Sequence, residues 1–330
     1  MLKSLALLVC LACLAGPARL AATNAQAAAD YQAALSDNMK AISAFLADPL
    51  GQGLAFAASS QGFTPVEAKP LLYFNLGIGA GVSTTLVDKS GAKAAASQNG
   101  TDISASIDSL PASLPIPLGQ VNAHLGLPKV LFFESNDIGL RLLGLNVDNA
   151  DVSVALSGLG VELRGNVFEA GLVSPVTFTL GLGFDSLKTS LHSASKAAAY
   201  STTFGGSNLS GNTQALFDVE SQVTSATLKA VVSRKFVFIT PYAGLALNVV
   251  SGDTEVRFAQ KGILTVTGSG PTAYTADTIE GKSSKPVPAL EARLGGGLEM
   301  SFFFFYLALG GEYGLVSGGS AAHGQVGLQF

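Results

Sequence analysis

The sequence predicts an all-β fold, an antiparallel up-and-down transmembrane β-barrel with ten strands favoured and twelve left open, behind a short N-terminal helix. Three observations predict it. The 330-residue chain is 48% hydrophobic and only 13% charged, with a mean hydropathy of +0.41. Yet beyond its first 16 residues the longest apolar run is 302–309 (FFFFYLAL), far short of the roughly 20 residues that a spanning helix needs. Finally, apolar residues alternate with small or polar ones over stretches of ten to sixteen residues, longer than the usual strand of about five or six.

The alternation has a particular chemistry. In residues 71–88, Leu72, Phe74, Leu76, Ile78, Ala80 and Val82 share one face, opposite Tyr73, Asn75, Gly77, Gly79, Gly81 and Ser83. Val176 to Phe184, Ala243 to Val249, Leu290 to Met300 and Phe303 to Leu309 repeat the pattern. In a water-soluble sandwich the second face would carry Lys, Glu and Thr for solvent; here it carries Gly, Ala, Ser and Asn, as a narrow lumen requires. Lipid forbids unpaired sheet edges, so such strands must close into a barrel. Weaker alternation spans 136–145, 150–165 and 213–233, where the apolar phase slips once and predicts a bulge.

The N-terminus reads as an address. Lys3 precedes an apolar core over residues 4–16, and small residues run on through Ala25-Gln26-Ala27, the pattern of a secretory signal peptide. Residues 1–27 are assigned to it, with cleavage after Ala27 or Ala28 and an earlier cut near Ala22 as the alternative. Cys10 and Cys13 both fall inside, so the mature chain has no thiol. A lipoprotein would instead retain Cys13. Residues 28–50 form the helical segment: Leu35, Met39, Ile42 and Leu46 recur at helical spacing, and Asp48-Pro49 is read as its end. It is expected to plug the barrel or to cap its periplasmic rim.

The barrel proper is 51–330. Strands starting near 71, 119, 137, 151, 175, 218, 236, 287, 303 and 321 alternate up and down; segment 53–60 would raise the count to twelve. Long polar connections at 88–118, 189–212 and 251–286 are expected outside the cell and short turns such as Ser233-Arg234-Lys235 inside. Segment 255–268 reads as a hairpin within an external loop.

The chain ends on Phe330, with Val326 and Leu328 on the same face of an alternating strand. This resembles the terminal signal of Gram-negative outer-membrane barrels, and the resemblance implies export to the bacterial outer membrane, with outer-membrane lipids and the barrel-assembly machinery as partners. The stretch FLADPLGQGLAFAASSQGF at 45–63, GLP at 126–128, Ile138 to Arg141 and GLGVELRG at 158–165 are loosely similar to fatty-acid-transporter-like proteins and uncharacterised barrel families near them. No ligand residues carry over, and the Asn-Pro-Ala motif of the true fatty-acid transporters is absent.

Chemistry is sparse. A net charge of −4 without a basic cluster argues against nucleic acid. His124 and His323 fall on lumen-facing positions, while His192 sits between Ser190 and Ser193 in a polar stretch; no spacing singles out a base, an orienter and a nucleophile. Asp137, Asp148 and Asp151 read as acids around a turn, not as a ligand set. No enzyme activity, cofactor or metal is therefore expected. What stands out is a set of lumen-facing charges, Arg141, Arg164, Asp185, Glu291, Arg293, Glu299 and Glu312. Paired across a narrow interior they either seal the barrel or form a constriction. Arg141 is expected to meet Glu299 or Glu312. The leading expectation is a passive channel or transporter for small solutes, hydrophobic ones included; the alternative is a structural or surface-adhesion barrel with a closed lumen.

Overall fold

The structure is a computed structural model, describing residues 23–59, 66–86, 90, 113–130, 132–149, 152–170, 176–268 and 270–330. One helix, α1 (Asn24–Ser59), precedes fourteen strands: β1 (Phe74–Leu86), β2 (Ser113–Leu127), β3 (Ser135–Asp148), β4 (Val152–Phe168), β5 (Thr177–Ala194), β6 (Ala198–Phe204), β7 (Ser207–Ser233), β8 (Ile239–Lys261), β9 (Leu264–Thr267), β10 (Ala273–Tyr274), β11 (Thr278–Pro286), β12 (Leu290–Phe302), β13 (Phe305–Gly314) and β14 (Ser320–Gln329). Ten of them close a ring in the order β1-β2-β3-β4-β5-β7-β8-β12-β13-β14, every neighbour antiparallel. Phe74 and Phe330 complete the seam at its lower end, exchanging backbone hydrogen bonds of 3.1 and 2.8 Å. The barrel therefore has ten strands; of segment 53–60, the candidate for a further strand, residues 53–59 are helical and residue 60 lies outside the described residues.

The ring is uneven. Paired residues of β7 and β8 run without interruption from Gln214–Lys261 to Ser233–Tyr242, whereas β1 and β14 pair only from Asn75–Gln329 to Thr84–Ser320. The tall wall rises through β5, β7 and β8 and is widened above by β6 and β9 on β7 and by β11 on β8. The stretches expected as loops at 189–212 and 251–286 are thus largely sheet. Residues 113–118 belong to β2, and 87–89 and 91–112 lie outside the described residues. Segment 255–268 is not a hairpin: residues 255–261 continue β8, and β9 turns away to pair with β7.

Below, the outer wall is apolar. Leu76, Ile78, Leu140, Leu163, Leu182, Phe184, Leu228, Leu247, Leu294 and Leu309 are all exposed, as a lipid-facing band must be. Aromatic pairs gather at the lower rim, Phe168 with Phe178, Phe238 with Phe302 and Phe304 with Phe330. Above, the faces exchange character. In β7 the odd-numbered residues point inward from end to end, but they change from Ser225, Thr227 and Lys229 below to Phe217, Val219 and Val223 above, while Leu228 outside gives way to Gln222 and Glu220. The apparent slip of phase at 213–233 is this inversion. The pairing of β7 keeps its register with both neighbours, and the irregular step falls between Asn166 and Phe168 of β4 instead.

The inversion exists because α1 stands inside the upper wall. The helix does not end at Asp48-Pro49; it runs on to Ser59 with Pro49 in its interior. A proline there removes a backbone hydrogen bond and costs about 3 kcal/mol, which the packing around it offsets. Over its first half one face of α1, including Tyr31, Leu35, Met39 and Leu46, is buried against Phe217, Val219, Val256, Phe258, Leu264, Val266 and Ile279. Full burial of each such side chain contributes roughly 1.5–3 kcal/mol. Ser36 and Ser43 donate to the carbonyls of Glu280 and Gly281 at 2.7 and 2.9 Å. Gly281 permits this approach, since a Cβ there would lie 2.2 Å from the backbone nitrogen of Lys40.

Candidate functional site: a plugged lumen

From Leu46 to Ala58 nearly every residue of α1 is buried, because the helix has entered the ring. There Leu54, Ala55, Ala57 and Ala58 are surrounded by Ile116 of β2, Leu143 of β3, Leu156 of β4, Leu187 of β5, Val223 of β7 and Val250 of β8, with Val287 above β12. Six successive strands thus each contribute one inward aliphatic side chain to an apolar collar. The collar is apolar on the β2–β8 side, while Gly53 packs against Thr85 of β1 and Gly51 against Thr254 of β8.

Beneath the collar the interior turns ionic. All seven charges expected in the lumen are buried there: Arg141, Arg164, Asp185, Glu291, Arg293, Glu299 and Glu312. The partners differ from expectation. Arg141 meets neither Glu299 nor Glu312; it lies 3.1 Å from Asp185 and 3.3 Å from Glu162. Neighbouring strands β3, β4 and β5 bring these three together through the directly opposed pairs Arg141–Gly160 and Gly160–Asp185, with Glu162 one step along. Lys229 reaches Glu162 from β7 at 3.0 Å. Arg164 forks onto Asp137 through Nε at 2.9 Å and Nη2 at 2.6 Å, with the Nδ1 of His124 3.2 Å away. On the opposite wall Arg293 pairs with Glu312, donates to Asn248 at 3.0 Å and lies over the Phe56 ring of α1.

The remaining two carboxylates accept from backbone. Glu291 receives the N–H groups of Val316 and Ser317, and Glu299 that of Val66. This last contact belongs to a second stopper. Residues 66–70, which lead into β1, cross the lower lumen, where Ala68 N–H donates to Asn166 and Lys69 N–H to Asp137, both at 2.9 Å, while Ser135 donates to the Ala68 carbonyl. The space left between Val66, Glu162, Arg164, Thr179, Gly181, Lys229 and Val231 is a cavity of about 10 Å³, no more than one water occupies. Gly77 has its place in the same packing: a Cβ there would meet the Tyr306 hydroxyl at 2.0 Å.

Three members of this network, Asp137, Glu162 and Lys229, were not among the expected lumen residues. The polar residues around Asp137 suggest a turn, but Asp137 lies on β3, fully buried, because it shares the inward parity of Arg141 four residues on. Glu162 shares the parity of Arg164, and Lys229 that of Thr227 and Ser233, so parity was the signal that could have found them. The acids do not gather: Asp148 is exposed at the upper end of β3 and Asp151 lies outside the described residues. His192 is on β5, not in a loop, and its Nδ1 bonds Asp218 on the outer face of the tall wall. Asp218 also lies 3.6 Å from Arg257, which donates to Glu280 at 2.8 Å through Nε. The row runs as a chain of polar contacts across β5, β7, β8 and β11.

Comparison with solved structures gives three representative likenesses. The translocator domain of autotransporter NalP from Neisseria meningitidis aligns at 10% identity over 84% of this chain and 94% of that one, with a TM-score of 0.34. The outer membrane protease OmpT from Escherichia coli aligns at 7% identity over 78% and 95%, TM-score 0.38. The attachment invasion locus protein Ail of Yersinia pestis aligns at 13% identity over 79% and 99%, TM-score 0.27. No curated protein matches the chain. The closed ring, its apolar outer band and its polar interior make the chain an antiparallel β-barrel of the outer-membrane type, and the match of residues 107–320, which hold eight of the ten ring strands, to the family of unknown function DUF6588 makes it a member of that family.

Proposed function

We propose that the protein is a closed, non-conducting barrel of the bacterial outer membrane whose working surface is the tall wall that it holds outside the cell. The single observation carrying this reading is the double filling of the lumen, by α1 within an apolar collar above and by residues 66–70 bolted to lumen side chains below. Withdrawing the helix would expose the collar to water, at a cost that grows with apolar area. Longer connections face outward in such barrels, which sets the tall wall, the His192–Asp218–Arg257–Glu280 row and the β9–β10 hairpin on the external side.

A second reading, a gated channel for small solutes, is favoured by Pro49 within the plug and by the ring of charges beneath it. In that case Arg141, Arg164, Asp185, Glu291, Arg293, Glu299 and Glu312 would line the constriction once α1 moved. One variant separates the two. A Cβ at Gly51 would lie 3.6 Å from that of Thr254 on β8, within disulfide geometry, so Gly51→Cys with Thr254→Cys fixes the plug to the wall under oxidation. The closed barrel should be silent in a planar bilayer whether oxidised or reduced. Conductance that oxidation abolishes and reductant restores would establish the gated channel instead.

A further inference from the structure

We propose that the chain is processed after Ala22, so that the mature protein begins at Thr23, and that this amino terminus lies on the cell surface, threaded outward through the barrel. The second half rests on the orientation adopted above.

The first half follows from how the start of α1 is held. Thr23 caps the helix: its carbonyl accepts the N–H of Ala27 at 2.9 Å and its Oγ1 that of Gln26 at 3.3 Å. Asn24 is 1% exposed. Its Nδ2 donates to the carbonyls of Gly270 and Pro271 at 3.1 and 2.9 Å, and its Oδ1 accepts from Ser207 at 3.1 Å. Ala27 and Ala28 are buried in the cluster that joins α1 to the tall wall. Cleavage after Ala27 or Ala28 would discard the cap and Asn24, and would leave two carbonyls and a hydroxyl of the wall without the amide that satisfies them. Cleavage after Ala22 keeps every one of these contacts, at a site, Leu20-Ala21-Ala22, that has the small residue next to the cut but Leu three residues before it.

Direction is fixed by the two ends of the threaded segment. Asn24 touches the connection between β9 and β10 and the turn between β6 and β7, both at the upper end, whereas Val66, Ala68 and Lys69 bond to Glu299, Asn166 and Asp137 in the lower lumen. The chain therefore descends through the ring before β1 ascends beside it. Thr23 and Phe330 would then lie on opposite faces of the membrane, Thr23 outside and Phe330 inside.

Two measurements test this on the full-length protein expressed in its outer membrane. Mass spectrometry of the purified protein should give Thr23 as the first residue; a start at Ala28 or Ala29 overturns the proposal. Cys10 and Cys13 precede Thr23, so Ala25→Cys, at an exposed position of the first turn, provides a single thiol. A membrane-impermeant maleimide should label it on intact cells, whereas Phe303→Cys, in the lower turn and 95% exposed, should label only after permeabilisation. Heat-dependent gel mobility verifies that both variants are folded. If Ala25→Cys stays unlabelled on intact cells and Phe303→Cys is labelled, the orientation is inverted and the proposal falls with it. If both are protected until permeabilisation, the amino terminus does not reach the surface, and the proposal fails while the barrel's orientation stands.

Discussion

In β5, Leu182 and Phe184 point outward and Asp185 inward, while just above them Leu187 points inward and Lys188 outward. The same exchange occurs in β7 between Thr227–Leu228 and Gln222–Val223. The backbone alternation is unbroken through both strands, so what changes is the pair of solvents on either side of the wall. Below, lipid lies outside and a polar interior within; above, water lies outside and an apolar helix within. One barrel thus follows membrane rules in its lower half and the rules of a water-soluble sheet packed on a helix in its upper half, and the level at which side chains change places marks the upper edge of the apolar outer band.

If this contrast is right, substitutions at matched positions should differ by zone. The largest effect is expected inside the lower half. Asp137→Ala leaves Arg164 buried without its carboxylate and should destabilise the barrel by about 3–5 kcal/mol, read from the denaturant midpoint of the refolded protein; a loss below about 1 kcal/mol would mean that water reaches Arg164. Inside the upper half the penalty comes from a cavity: Leu187→Ala should cost about 2–5 kcal/mol in the same assay and should loosen α1, seen as faster proteolysis of the helix. Outside the lower half, Leu182→Lys places a charge in lipid and should cost about 2–4 kcal/mol near the midplane, less toward the interface. Outside the upper half the matched Lys188→Leu should stay within about 0.5 kcal/mol of wild type. Equal responses to the two outward substitutions would erase the boundary drawn between them.

Much of the lower half was legible in the sequence. Its period of two, its lipid-facing leucines and its seven inward charges can all be read from parity, because a single solvent pair governs that zone from β1 to β14. The upper half was not, and the reason is physical. Phe217, Val219, Val256 and Phe258 are apolar on the face that is polar lower down, so a reader who expects one rule finds a broken phase and infers a bulge, a hairpin or a loop. Asp48-Pro49 reads as the end of a helix; only the enclosing wall, which is distant in sequence, stabilises its continuation to Ser59. Asp137 is harder to place for the smaller reason that its neighbours Asn136 and Ser135 are as polar as a turn.

The unevenness of the ring bears on how it comes together. The seam of β1 with β14 joins the two ends of the strand order, carries half as many paired residues as β7 with β8, and requires the longest closure in the chain, whose entropic cost grows with the length enclosed. The tall wall needs only short-range closures within residues 177–286, and it already holds the binding face for Tyr31, Leu35 and Met39. An open half-shell can receive α1 sideways, whereas a finished ring would have to admit 36 residues of helix end-on. On this geometry the helix is the axle about which the strands are wrapped, and the short seam is the clasp that holds it inside.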